Sequence, residues 1–169
     1  VGRNVINQGN DAQAIGNSSS VRSHYGTALG TFATVAGNAD RGIAIGNSNQ
    51  SSTATTVKVA DGIALGSYSV ADKGAGINGY NMTTGRDNPY AGTSAAFTSG
   101  LGALAIGTDQ KTRQITGVAA GNALTDAVNV AQLQSVSSRV KAYNENSANG
   151  TGAYRLANQA LVAKSTNKD

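Results

Sequence analysis

QAIGN at Gln13–Asn17, TALGT at Thr27–Thr31, IAIGN at Ile43–Asn47, IALGS at Ile63–Ser67 and LAIGT at Leu104–Thr108 are five copies of one phrase, Ala-(Ile/Leu)-Gly. Their glycines, Gly16, Gly30, Gly46, Gly66 and Gly107, are separated by 14, 16, 20 and 41 residues. A short strand that returns with a fixed turn residue is the mark of a chain coiled on itself. One coil cannot bury its own apolar side, so each coil depends on its neighbours. The phrase therefore predicts an elongated, mainly β scaffold that displays a surface.

Strand geometry sends successive side chains to opposite faces. Ile15, Leu29, Ile45, Leu65 and Ile106 then form one column, with Gln13, Thr27, Ile43, Ile63 and Leu104 beside them on the same face. Ala14, Ala28, Ala44, Ala64 and Ala105 fall on the other face. An alanine column either packs closely on a neighbouring sheet or tolerates water, and the pattern leaves both open. A second glycine stands four residues before the first in three copies, at Gly26, Gly42 and Gly62. Between copies run SSSVRSHYG, TVAGNADRG and SVADKG, which predict a second short strand around Val21, Val35 and Val70. Two strands and two turns per coil of about 14 residues make a flattened parallel roll.

Composition agrees. The 169 residues include 22 glycines, one proline, two phenylalanines, six tyrosines, no tryptophan and no cysteine. A lone globule has little here from which to build a core. Regular stacking of small residues, or burial against other copies of the chain, is the way out. Without cysteine there is no disulfide framework or thiolate metal site. The net charge of +4 and pI near 9.5 come from dispersed Lys and Arg, not from the clusters with aromatics that nucleic-acid surfaces carry. No apolar run of 18 residues and no leader-type segment is present.

Two stretches break the rhythm. Residues 47–59 (NSNQSSTATTVKV) lengthen one coil, and residues 74–103 add the length of about two more. The second holds the only proline and methionine. Insertions in solenoids tend to gather on a binding face, and the alternative is a plain structural insert. Tyr80, Asn81, Met82, Arg86, Asp87 and Tyr90 are the first candidates for ligand contact, with Gln50, Thr55 and Lys58 second. After Lys111 the rhythm stops. Asn129 and Gln132 form a capping pair, and Val130, Leu133 and Val140 an a/d-like stripe with Ser137 as a polar gap. Asn144–Gly152 reads as a break, and residues 153–163 as a further helix.

Catalytic readings find little support. His24 is the only histidine, there is no G-x-S-x-G elbow, and the six-residue apolar period of a β-helix acyltransferase does not continue. Asp11, Asp40, Asp61 and Asp72 recur as turn residues, although paired carboxylates could cleave glycosides. No calcium loop or phosphate-cradling loop is present. No enzyme activity, cofactor or metal is expected.

The repeats together with TRQITGVAAG…TDAVNVAQL, Thr112–Leu133, resemble the head and neck of the trimeric autotransporter adhesins, of the type with a collagen-binding head. The resemblance implies a trimeric left-handed parallel β-roll head over 1–110, with insertions at 47–59 and 74–103. A neck over 111–136 and a coiled-coil start or extension over 137–169 would follow. It implies a homotrimer on a Gram-negative cell surface, anchored by a membrane barrel outside this sequence, that binds a host extracellular-matrix protein or host-cell receptor. The missing cysteines suit export through a narrow pore. The head repeat of collagen binders, N-S-V-A-I-G-x-x-S, lacks its S-V here, as NDAQAIGNSS and ADRGIAIGNSN show, and this points away from collagen. The other readings are a trimeric tail fibre or tailspike acting on surface polysaccharide, and a structural spacer. Neither nucleic acid nor catalysis enters the leading one.

Overall fold

The computed structural model describes residues 1–81 and 95–149, with the backbone alone over 144–149. The chain divides into two compact units, Val1–Gln114 and Ile115–Asp169.

The first unit is a parallel β-solenoid. Its strands are β1 (Ile6–Asn7), β2 (Gln13–Ile15), β3 (Ser20–Val21), β4 (Thr27–Leu29) and β5 (Thr34–Val35). They continue with β6 (Ile43–Ile45), β7 (Thr56–Val57), β8 (Ile63–Leu65), β9 (Val70–Ala71) and β10 (Leu104–Ala105). The odd strands form a first sheet, β1-β3-β5-β7-β9, and the even ones a second, β2-β4-β6-β8-β10. Every pairing is parallel, and copies align residue on residue: Ile15 on Leu29, Leu29 on Ile45, Ile45 on Leu65. Strands of two or three residues are too short to stand alone. They persist because each coil donates to and accepts from the next.

Of the two readings of the alanine column, close packing is the one observed. Ala14, Ala28, Ala44 and Ala64 are buried and belong to one core cluster with Val21, Val35, Val57 and Ala71 of the first sheet. Where the chain passes the valine methyls there is no room even for a Cβ. A Cβ on Gly42 would lie 2.9 Å from Val57 Cγ1 and 3.0 Å from Val35 Cγ1. At the next corner, Gly30 has φ +124° and its Cβ would strike the Gly46 carbonyl. The recurring glycines are therefore steric requirements of a thin core.

The second strand differs in one place from the sequence pattern. Val70 pairs with Thr56 and points outward, and Ala71 takes the core position above Val57. β7 lies within residues 47–59, and the surplus is a loop with a single 3-10 turn at Ser51–Thr53. Before the first copy of the phrase, Val1 and Arg3 accept from the amides of Gly16 and Ser18, both at 2.8 Å. Val1-Gly2 thus occupies the Ile-Gly position of a further coil. Within 74–103, Asn78 pairs antiparallel with Thr98, and the amides of Gly76, Gly79 and Ser99 bond across the same pair of segments.

In the second unit a loop leads into α1 (Val130–Asn149). Asn129 and Gln132 cap it reciprocally: the Gln132 amide donates to Asn129 Oδ1 at 3.1 Å, and the Asn129 amide to Gln132 Oε1 at 3.2 Å. The same side chains hold the preceding loop, Asn129 Nδ2 on the Val118 carbonyl and Gln132 Nε2 on the Gly121 carbonyl. The helix runs through Asn144–Asn149, where the sequence reading placed a break. Those six residues contain no proline or glycine, so weak propensity alone does not end it. The proposed helix over 153–163 lies outside the described residues.

Because the alanine column leaves no room, Ala44→Leu is expected to cost about 3 kcal/mol by overpacking, whereas Ile45→Leu one residue on changes stability little. Denaturant unfolding of the two variants measures the contrast.

Candidate binding surfaces

The outer face of the second sheet is an apolar ridge. Ile15, Leu29, Ile45 and Leu65 remain 44, 44, 39 and 38% exposed, directly in register. Ile43 and Ile63 lie half-buried beside them, and Leu104 is 59% exposed one coil further on. Scattered surface leucines need no explanation, but a continuous column does. With neighbouring strands about 4.8 Å apart, the ridge climbs through four coils without interruption. The roll thus keeps its small residues inside and its large ones outside. The outer face of the first sheet is unlike this. It carries Ile6, Ser20, Thr34, Thr56 and Val70 in one column, with Ser20 buried, and Gln8, Arg22, Ala36, Lys58 and Asp72 in the next.

The candidate ligand residues fall in different places. Tyr80 is 60% exposed at the base of the 74–103 insert, and Asn81 beside it is buried. Met82, Arg86, Asp87 and Tyr90 lie outside the described residues. Gln50 is exposed just before the 3-10 turn, and Lys58 is exposed just after β7. Thr55 must be corrected: it is fully buried, and its hydroxyl donates to the Gly66 carbonyl at 2.8 Å. Its role is to tie two coils together, since inward parity in the strand removes it from the surface.

The titratable residues of the turns serve the coil. His24 is exposed, and its Nδ1 accepts from the Asn10 amide at 3.2 Å, while its own amide donates to Asp40 Oδ1 at 2.9 Å. Arg41 grips Asp61 with both arms, Nε to Oδ1 at 2.6 Å and Nη2 to Oδ2 at 2.8 Å. The hydrogen bonds and charge of that guanidinium hold the Asp61 carboxyl below its ordinary range and raise Arg41 in turn. Asp11, Tyr25, Arg41 and Asp61 stand at one corner with φ between 51° and 60°, one per coil. Among the described residues no group of three or more His, Cys, Asp or Glu could hold a metal ion.

Sequence reasoning missed Arg113. Its Nη2 donates to the Ser67 carbonyl at 2.7 Å and its Nη1 to Ser69 Oγ at 3.2 Å and to the Ile106 carbonyl. It closes the last coil over Gly66, where a Cβ would lie 3.1 Å from the guanidinium. Lys111 Nζ lies 5.8 Å from the centre of the Tyr68 ring. Both partners are more than 40 residues away in sequence, beyond the reach of any local pattern. On α1, Leu133, Val136, Val140 and Tyr143 are spaced by three, four and three residues and are 46–63% exposed. Val136 and Tyr143 extend the expected stripe. No described helix is long and apolar enough to cross a membrane.

Known proteins with similar sequences share one description. Residues 114–155 match the family model for the coiled stalk of trimeric autotransporter adhesin. The autotransporter adhesin BadA of Bartonella henselae is 50% identical over 76 residues, 44% of this chain and 2% of that protein. EhaG of Escherichia coli O157:H7 is 37% identical over 134 residues, 78% of this chain and 7% of that protein. The trimeric autotransporter adhesin AtaA of Acinetobacter sp. (strain Tol 5) is 45% identical over 74 residues, 43% of this chain and 2% of that protein. The chain thus spans a small part of each of these relatives. The solved C-terminal YadA-like domain of a Burkholderia pseudomallei protein aligns over 86% of this chain and 54% of that one, with a TM-score of 0.44 and 21% identity.

The loop before α1 carries a pH-dependent contact. Asp126 accepts from the amides of Ala123 and Asn122, both at 2.9 Å, and these donors lower its carboxyl pKa. A depressed carboxylate contributes stability above its unfolded value, and that contribution is lost as pH falls through the folded one. Protection of the Asn122 and Ala123 amides, relative to their intrinsic exchange rates, is expected to fall below about pH 4, and Asp126→Asn is expected to abolish that pH dependence.

Proposed function

We propose that this chain, which belongs to the trimeric autotransporter adhesins, forms the head and neck of a homotrimer displayed on a bacterial outer membrane. There it attaches the cell to host matrix or host-cell receptors through many weak contacts. The observation that carries the reading is the ridge of Ile15, Leu29, Ile45 and Leu65. An isolated roll leaves this column in water. Full burial of such a side chain is worth about 2 kcal/mol, so covering the half that is exposed returns about 1 kcal/mol for each. Three rolls with their ridges turned together gain this several times over. The a/d spacing of Leu133, Val136, Val140 and Tyr143 suits the same threefold assembly at the helix.

Attachment then follows from multiplicity. Three identical faces per fibre raise the effective concentration of ligand after the first contact. The insert at 74–103, with Tyr80 exposed at its base, is the proposed ligand-contact region. The relatives' names support adhesion as a general role.

Sedimentation at micromolar concentration is expected to give a trimer, and Leu29→Lys with Ile45→Lys a folded or partly folded single chain. A wild-type monomer with intact circular dichroism defeats the assembly. Deleting residues 80–90 is expected to abolish binding to host-cell membranes while the trimer persists. Unchanged binding moves the contact away from the insert.

A further inference from the structure

We infer that the outer face of the first sheet is a docking surface for a linear acidic glycan of the glycosaminoglycan type. Arg22 and Lys58 hold its anionic groups, and the hydroxyl ladder beside them receives its hydroxyls. The inference goes beyond the reading above and does not depend on the 74–103 insert.

Geometry supplies the first part. The amides of Gln8, Arg22, Ala36 and Lys58 donate in turn to the carbonyls of Val21, Val35, Val57 and Ala71. Those four residues therefore form one column across four coils. Arg22 and Lys58 stand two ladder steps apart, about 10 Å, with only the methyl of Ala36 between them. Both are exposed, and neither forms an ion pair among the described residues. The nearby acids are engaged at the corner: Asp40 accepts from the His24 amide, and Asp61 is gripped by Arg41. Asp72 follows Lys58 by one step and ends the basic run. The field along Arg22–Lys58 favours an anion laid along the stack.

The second part is the chemistry of the adjoining column. Ser20, Thr34 and Thr56 are directly in register. Thr34 Oγ1 donates to the Phe32 carbonyl at 3.0 Å, and Thr56 Oγ1 donates to the Ala54 carbonyl at 3.3 Å. Each threonine hydroxyl has thus spent its proton locally and keeps lone pairs for an incoming donor, whereas Ser20 is buried and takes no part. A partner must bring donors to the threonines and anions to the cations. A polysaccharide with hydroxyls and acidic groups offers both. The phosphate and deoxyribose backbone of DNA offers the anions without the hydroxyl donors. Between the two cations the side chains are short, Ala36 in their own column and Thr34 and Thr56 in the next.

The test is binding of the intact chain to an immobilised heparin dodecasaccharide. Arg22→Gln with Lys58→Gln is expected to weaken binding about tenfold, and Thr34→Val with Thr56→Val about threefold, with circular dichroism and sedimentation unchanged. Arg139→Gln with Lys141→Gln removes the same charge from α1 and is expected to leave binding as it was. Deleting 80–90 is also expected to leave it. Equal loss in the α1 variant, equal binding of a DNA duplex or of polyglutamate, or no binding by the wild-type chain overturns the inference. Loss only on deleting 80–90 returns glycan recognition to the insert and overturns it as well.

Discussion

The close approach of Ala14, Ala28, Ala44 and Ala64 to the valines of the facing sheet governs the rest of this molecule. Parallel strands of two or three residues cannot hold a wide core between them. A methyl group on one side and an isopropyl group on the other fill the gap, and nothing larger fits. Once that distance is set, Gly26, Gly42 and Gly62 lose the option of a side chain, because the valine methyls already occupy its place. Parity then sends every Ile and Leu of the repeat outward. The exposed ridge is thus a direct consequence of the thin interior, and the roll by itself leaves that burial incomplete.

How far the sequence revealed this can be judged residue by residue. The repeat and the parallel stacking were legible because one phrase returns coil after coil, and the alanine and Ile/Leu columns and the Asn129–Gln132 cap because each is set by a spacing of a few residues. The strand at Val70 was legible, but which of Val70 and Ala71 faces inward was not, because the lengthened coil before it hides the register that decides between them. Val1-Gly2 went unread as a repeat because two residues carry no period. Thr55 looked like a loop residue, but strand β7 turns it inward against Gly66. Arg113 makes its contacts across 44 and 46 residues, and only the folded path brings them together. The six-residue extension of α1 shows the converse limit: poor helix formers prolong a helix already capped and nucleated.

The turns show why so many polar residues yield no chemistry. At each corner one residue takes a left-handed backbone, and among them are Tyr25, Phe32, Arg41 and Tyr68, for which that conformation costs about 1 kcal/mol. The stack overrides the cost, since the amide of each such residue is already committed to the coil before it. Asp40, Asp61 and His24 are recruited to the same ladder. A carboxylate that accepts from a neighbour's amide, or is gripped by the arginine of an adjacent coil, has little freedom left to act on a substrate.

A solenoid of this kind offers a partner two faces of different character. The face bearing the Ile/Leu ridge is apolar and self-similar along its length, which suits identical neighbours related by rotation. The face bearing Thr34, Thr56, Arg22 and Lys58 is more polar, with Ile6 and Val70 at the ends of its hydroxyl column, and its two cations remain in water. Both patterns repeat at the strand spacing, because one register determines both. Lengthening such a fibre by whole coils would extend assembly and display in step, whereas a shift of one residue would exchange the two faces and lose both.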